Sequence, residues 1–233
     1  MSAPPAREPR GPAAADRPLD FLIAGPQGTG EQWLAARLRG HPGVDLPLPP
    51  LPYHLGGTAT EAHLARALGL GTAPDNPAPG ILRGYADYHF ATLGRARIEP
   101  LVAQVPALRV VLTFRAPHER LLMAALAAIR AAQLAPDEVS AAWLTDWRHS
   151  QFQRQQGDYG HILRTWRRCL PPAQVHWLRL EDLRQHPERA LDACCRFLGL
   201  APGLLDPCPY DDRAEQAQLE RLLPPGPARQ ALA

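Results

Sequence analysis

Leu19 to Leu34 reads LDFLIAGPQGTGEQWL: an apolar run, a glycine-rich turn and the start of a helix. A chain builds a phosphate cradle in this order, because the N–H groups of the turn and the positive end of the helix converge on one anion. Gly25 and Gly30 have the spacing of G-x-x-x-x-G-K-[ST], but Glu31 and Gln32 stand where the lysine and the hydroxyl residue belong. No lysine from elsewhere can repair this, since the chain contains none and every basic side chain is arginine. Thr29 and the N–H groups of Gly28 and Gly30, with Gln27 at the rim, are left to hold an anion. A carboxylate at Glu31 favours the helix by about 0.3–1 kcal/mol and repels a phosphate or sulfate at the same spot.

Other groupings offer less chemistry. Glu181 and Asp182 are adjacent carboxylates, but they follow a strand pattern and open a helix, which is capping chemistry. The nine histidines have no metal-ligand spacing, so no metal is expected. A nucleotide hydrolase or kinase needs the loop lysine and a Mg²⁺-binding hydroxyl, and both are missing.

The elements that must position the loop follow from hydrophobic patterning. Asp20–Ala24, Leu108–Phe114 and Val175–Leu180 read as buried strands. Between them the spacing predicts helices over Glu31–Arg39, Glu61–Leu68, Tyr88–Val105, His118–Leu134, Gln155–Cys169 and Pro187–Leu198, with a short helical turn from Glu181. Residues 42–57 are too rich in proline for either element, and residues 69–80 form a Gly/Pro linker. Strands alternating with helices imply an α/β fold with a parallel sheet covered on both faces. Pro, Ala and Arg dominate residues 1–17, an expected disordered arm. The domain is expected over residues 18–224 and a tail over 225–233.

Composition narrows the function classes. A 233-residue chain with a formal charge of +2 and interspersed acids and arginines carries no electrostatic footprint for nucleic acid. The longest apolar run, Leu121–Ile129, is too short to span a bilayer. Cys169, Cys194, Cys195 and Cys208 show no disulfide framework, and the adjacent Cys194 and Cys195 read as buried free thiols. These features are those of a cytoplasmic protein with no membrane partner.

The pieces, in this order, resemble the sulfotransferase family, which uses 3′-phosphoadenosine 5′-phosphosulfate as sulfuryl donor. FLIAGPQGTG followed by a helix and HPGV at His41–Val44 looks like the family's 5′-phosphosulfate loop and the turn beyond it. VVLTFRAPHER at Val110–Arg120 looks like the 3′-phosphate motif, and Gly157–Leu200 is similar to the family's C-terminal half. The resemblance implies a three-layer P-loop fold with a central parallel sheet, and sulfuryl transfer to a hydroxyl or amine of a small-molecule or glycan acceptor. It gives Gly25, Gln27, Gly28, Thr29, Gly30 and Gln32 to the 5′ end of the co-substrate. Arg115, whose guanidinium suits bidentate phosphate contact, goes to the 3′-phosphate; an ion pair with Glu119 or Asp182 is the alternative. His54 lies in the loop that faces the acceptor in the family, and its ordinary pKa of about 6.5 suits a general base. Tyr159 matches a recurring tyrosine and sits either near the nucleotide or in the core.

The same resemblance exposes departures. Gly28 occupies the position of the family's loop lysine, Met123 that of a serine in the 3′ motif, and Tyr85 that of an acidic residue. A Lys-Glu pair that supplies a base in many members falls at Pro50 and Leu51. Losing one preorganised donor to a developing oxyanion costs about 2.7–4 kcal/mol, and Arg83 is one candidate to replace it. Weak donor binding is therefore expected, with Gly28→Lys and Glu31→Thr expected to restore it. The rival reading is a degenerate sulfotransferase fold kept as a binding or scaffold module. An arginine over the loop would favour the enzyme, and Glu31 filling the cradle would favour the module.

Overall fold

The computed structural model describes residues 19–46 and 80–232. Residues 1–17, the proline-rich stretch from residue 47, His54, Pro50, Leu51 and the helix expected over Glu61–Leu68 lie outside the described residues.

Five parallel strands form one sheet in the order β2-β3-β1-β4-β5. They are β1 (Phe21–Ile23), β2 (Val44–Asp45), β3 (Leu82–Ala86), β4 (Arg109–Phe114) and β5 (Val175–Arg179). The helices among the described residues are α1 (Glu31–Leu38), α2 (Arg95–Gln104), α3 (Pro117–Ala131), α4 (Ala141–Arg148), α5 (Gln151–Gly157), α6 (Tyr159–Cys169), α7 (Leu180–Gln185), α8 (Pro187–Leu198), α9 (Arg213–Leu222) and α10 (Pro227–Gln230). β1 lies at the centre, with Leu22 in register with Tyr85 on one side and Val110 on the other. The chain is thus an α/β fold with an all-parallel sheet.

Alternation along the strands divides the core into two layers. Leu22, Val110 and Leu112 face Ile98 and Leu101 of α2 and Ile162 and Trp166 of α6. Phe21, Ile23 and Val111 face Leu34 and Leu38 of α1 and Leu191, Cys194 and Leu198 of α8. Cys194 and Cys195 are buried free thiols, as their apolar setting implies, and burial pushes both thiol pKa values up. A third cluster joins Leu126 and Ile129 of α3 to Leu144 of α4, Leu219 of α9 and Leu232.

Several expected boundaries move. The helix expected over Tyr88–Val105 is two elements, because Asp87 accepts the His89 N–H and caps a 3-10 turn over Tyr88–Thr92 before Gly94 leads into α2. The helix expected over Gln155–Cys169 breaks at Asp158, whose side chain caps α6 by accepting the His161 N–H at 2.8 Å. Beyond residue 224, α10 packs on the fold and Leu232 is 1% exposed.

β3 emerges from a stretch with little strand signal. Its Gly84 has a structural cause, since a Cβ there would stand 2.2 Å from the Phe21 ring. Strand pairing demands that close approach of backbone to side chain, and only glycine permits it.

Candidate functional site

The glycine-rich turn follows β1 at the carboxyl end of the sheet, where open α/β sheets bind ligands. Gly25 is required by packing: a Cβ would fall 1.7 Å from Thr113 Oγ1 and 2.5 Å from Thr29 Oγ1. Those two hydroxyls meet at 2.7 Å, and the Thr29 hydroxyl also donates to the Pro26 carbonyl at 2.6 Å. Gly28 and Gly30 both sit at φ +87°, the left-handed region that curls the turn. The Gln27 N–H donates to Gln156 Oε1 at 2.8 Å, and Gln156 Nε2 donates to the Tyr88 carbonyl at 3.3 Å. The turn is therefore rigid and tied to α5.

Glu31, the first residue of α1, is 5% exposed. Burial pushes its carboxyl up to about 7. Backbone hydrogen bonds from Glu31 itself and from Thr29 act against that rise, and the nearby charge of Asp87 adds to it. The carboxyl group is thus buried at the N-terminal end of α1, where it opposes an anion approaching the turn.

Arg115 is also engaged. Its side chain is buried, with Nε donating to Glu119 at 3.0 Å and Nη2 to Asp212 at 2.5 Å. Arg184 donates to the same two carboxylates, closing a ring of two arginines and two acids. Burial alone would raise both acids; the hydrogen bonds and charges of Arg115 and Arg184 hold them below the usual carboxylate range. Arg115 reaches the turn only through Nη1, 3.5 Å from the Gly28 carbonyl. Of its two expected ion-pair partners, Glu119 is present, while Asp182 pairs with Arg179 at 3.0 Å.

The remaining residues fall into place around this centre. Arg83 pairs with Asp45 at 3.1 Å near the start of β3, beside Asp20 and away from the turn, so it does not replace the loop lysine. The Tyr159 hydroxyl donates to the Arg115 carbonyl at 2.9 Å, and burial pushes its pKa up to about 12. Glu181 does cap a helix, but the helix is α3: its Oε1 accepts the Ala116 N–H at 3.1 Å. Arg120 is buried with no ion-pair partner among the described residues. Its Nη1 donates to Gln153 Oε1 at 3.1 Å, and burial lowers its pKa.

A cavity of about 440 Å³ opens beside the turn, within the range of small-molecule sites. Gln27, Gly28, Glu31 and Gln32 form its polar side. Met123, at the expected serine position, is part of its apolar side with Tyr88, Trp147 and Phe152. Tyr88 and Phe152 meet edge to face, with ring centroids 6.0 Å apart. Beyond this wall, His89 Nδ1 donates to Asp87 Oδ1 at 2.8 Å and its ring lies 4.1 Å from that of Tyr88. Asp87 and His89 are two residues apart, yet only the capped turn brings them together. Asp212 and Gln153 gave no sequence signal, because their partners lie in distant segments. Among the described residues no cluster of His, Cys, Asp and Glu is poised to hold a metal, and no helix is long and apolar enough to cross a membrane.

No protein-family model matches the sequence, and no curated protein does. Solved structures do match in fold. A sulfotransferase from Alicyclobacillus acidocaldarius superposes with a TM-score of 0.62 at 18% identity, covering 91% of this chain and 93% of its own. A mouse sulfotransferase complexed with PAP gives 0.51 at 18% identity, over 88% of this chain and 63% of its own. The sulfotransferase domain of the curacin biosynthetic pathway gives 0.53 at 18% identity, over 84% of this chain and 79% of its own. With the parallel sheet, the turn after β1 and these superpositions together, the chain has the sulfotransferase fold.

Proposed function

We propose that this chain is a small-molecule binding module on a sulfotransferase fold, not a working sulfuryl transferase. The observation that carries the reading is the Glu31 carboxyl group, buried at the N-terminal end of α1 and on the wall of the cavity beside the turn. The co-substrate implied by the resemblance, 3′-phosphoadenosine 5′-phosphosulfate, does not fit the residues present. Its 5′ end meets Glu31, position 28 carries no cationic side chain, and Arg115, whose Nη1 is 3.5 Å from the Gly28 carbonyl, already holds Asp212 as it would hold a phosphate. Sulfuryl transfer to a hydroxyl or amine would require both internal acids to leave.

The cavity beside the turn is what the module offers. Its walls are mostly apolar and aromatic, the chemistry of a ligand pocket. Neither a metal nor nucleic acid enters this reading.

A thermal-shift titration with 3′-phosphoadenosine 5′-phosphate tests it. A ligand present at 100 times its Kd stabilises a protein by about 2.7 kcal/mol. The expected outcome is no shift in Tm at millimolar nucleotide. A rise of several degrees at micromolar nucleotide would return the chain to the transferases.

A further inference from the structure

β5 ends the sheet and pairs on one side only, with β4, among the described residues. A strand so placed presents a row of unpaired N–H and C=O groups, which natural edges blunt with proline, a bulge or an inward charge. Val175–Leu178, VHWL, has neither proline nor acid, and its register with β4 is unbroken from Val175 to Arg179. In the middle of the strand Trp177 is 48% exposed. A large apolar ring left in water at a strand edge is typical of an interface anchor.

α6 lies over the same face of the sheet. Tyr159, its first residue, meets the Phe114 ring with centroids 4.9 Å apart, and Phe114 is in register with Arg179. Trp166 and Leu170 share a core cluster with Val175, at the other end of β5. α6 therefore runs antiparallel to β5, and Trp177 is level with its middle. The side of α6 that carries Cys169 turns to Glu99 and Arg95 of α2. Arg167, across the helix from Cys169, overlooks the β5 edge. His161, Arg164 and Arg168 follow at i, i+3 and i+7 on the solvent face, and all four residues are exposed. None of the three arginines has an ion-pair partner among the described residues. The acids of the neighbouring segments are committed elsewhere: Asp158 caps α6, Glu99 holds Arg95 at 2.6 Å and Asp182 holds Arg179 at 3.0 Å.

We propose that β5 is a docking edge for an extended acidic segment of another protein. The segment adds a strand to the sheet, sets an apolar residue beside Trp177 and lays carboxylates over Arg164, Arg167 and Arg168. A second copy pairing antiparallel through β5 would bring one α6 arginine face against another. The chain's own segments do not supply the acids: residues 1–18 hold three arginines and two acids, and residues 47–79 one arginine and two acids. A lipid surface or a nucleic acid has no peptide backbone to pair with the strand. No residue of β5 or α6 lines the cavity beside the turn, so the proposal goes beyond the binding-module reading and does not depend on it.

Fluorescence anisotropy of a fluorescein-labelled nonapeptide, Glu-Thr-Glu-Thr-Val-Thr-Glu-Thr-Glu, titrated with the full chain tests the proposal. In an extended chain its glutamates and valine share one face. Saturable binding is expected, and glutamine in place of every glutamate should weaken it at least tenfold. Proline in place of every threonine keeps each charge but prevents strand pairing, and should cost as much. In the protein, the exposed double substitution Arg164→Gln, Arg168→Gln should weaken the peptide about tenfold, the sum of several exposed charge pairs. Trp177→Ser should weaken it severalfold, with circular dichroism reporting that both variants are folded. No binding of the nonapeptide overturns the proposal. So does equal binding of the glutamine or proline peptide, or affinity that either protein variant leaves unchanged. Phosphatidylserine vesicles or poly(U) RNA held through the same arginines, with the nonapeptide ignored, would overturn it in favour of a lipid surface or a nucleic acid. A dimer in sedimentation that Trp177→Ser dissolves would overturn it in favour of a second copy. Titration with nucleotide reads the cleft separately, so failure of the peptide leaves the binding-module reading standing.

Discussion

Asp212 Oδ2 lies 2.5 Å from Arg115 Nη2, across 97 residues of sequence, so the arginine best suited to a phosphate already grips an acid of its own chain. Together with Glu31 in the turn, this places one internal carboxyl group at each end of the cleft expected to take a bisphosphate nucleotide. The two acids come from different elements, α1 and the residue that leads into α9.

Asp212→Asn tests the structural weight of that contact. Asp212 is 5% exposed and faces two arginines, so removing its charge leaves buried guanidinium groups under-compensated. Breaking one side of a buried pair costs about 3 kcal/mol. Urea unfolding at pH 7 should show a loss of that size, and an unchanged midpoint would make the ring of charges ornamental.

Glu31 gives the protein a pH signature. Its carboxyl is raised in the folded state to about 7, so between pH 4.5 and 7 the folded chain holds a proton that the unfolded chain has released. Stability from this group is therefore complete below the unfolded pKa and is lost as pH rises through 7, by on the order of 3 kcal/mol. Glu31→Gln cannot titrate. Urea midpoints at pH 5 and pH 8 should show the variant gaining on the natural protein as pH rises. A difference that is constant with pH would contradict the burial of a titrating carboxyl group.

Rebuilding the turn with lysine should not work by itself. Gly28 has φ +87°, and a Cβ there would lie 2.9 Å from the Arg120 carbonyl oxygen and 3.2 Å from Met123 Cβ. A left-handed residue with a side chain costs about 1–2 kcal/mol, and overpacking adds about 1–3 kcal/mol. Gly28→Lys alone is expected to lower stability without creating nucleotide affinity. A stable Gly28→Lys variant that binds nucleotide would show that the turn relaxes.

Much of the fold was legible because its signals are local. The turn, the continuous apolar run of β4 and the pattern of α8 each announce themselves within a dozen residues. β3 did not, because Gly84 and Ala86 carry no strand propensity and are chosen by the Phe21 ring and the layer beneath. The site was half legible. Glu31 declared its conflict with an anion from position alone, but whether it pointed out or folded back depended on packing. Arg115 was visible as a cation and Glu119, four residues on, as a partner; Asp212 was not, since it and Arg184 reach the site only after the chain closes.

The most direct measurement is calorimetric titration of 3′-phosphoadenosine 5′-phosphate into the natural protein and into the Glu31→Gln, Asp212→Asn double variant at pH 7.5. If the two internal carboxyl groups close the cleft, the natural protein gives no measurable heat of binding. The double variant, with two repelling charges removed and Arg115 released, then gains affinity by at least tenfold, or about 1.4 kcal/mol. Tight binding to the natural protein that the double substitution leaves unchanged would contradict the account, because the nucleotide would then be held without displacing either acid.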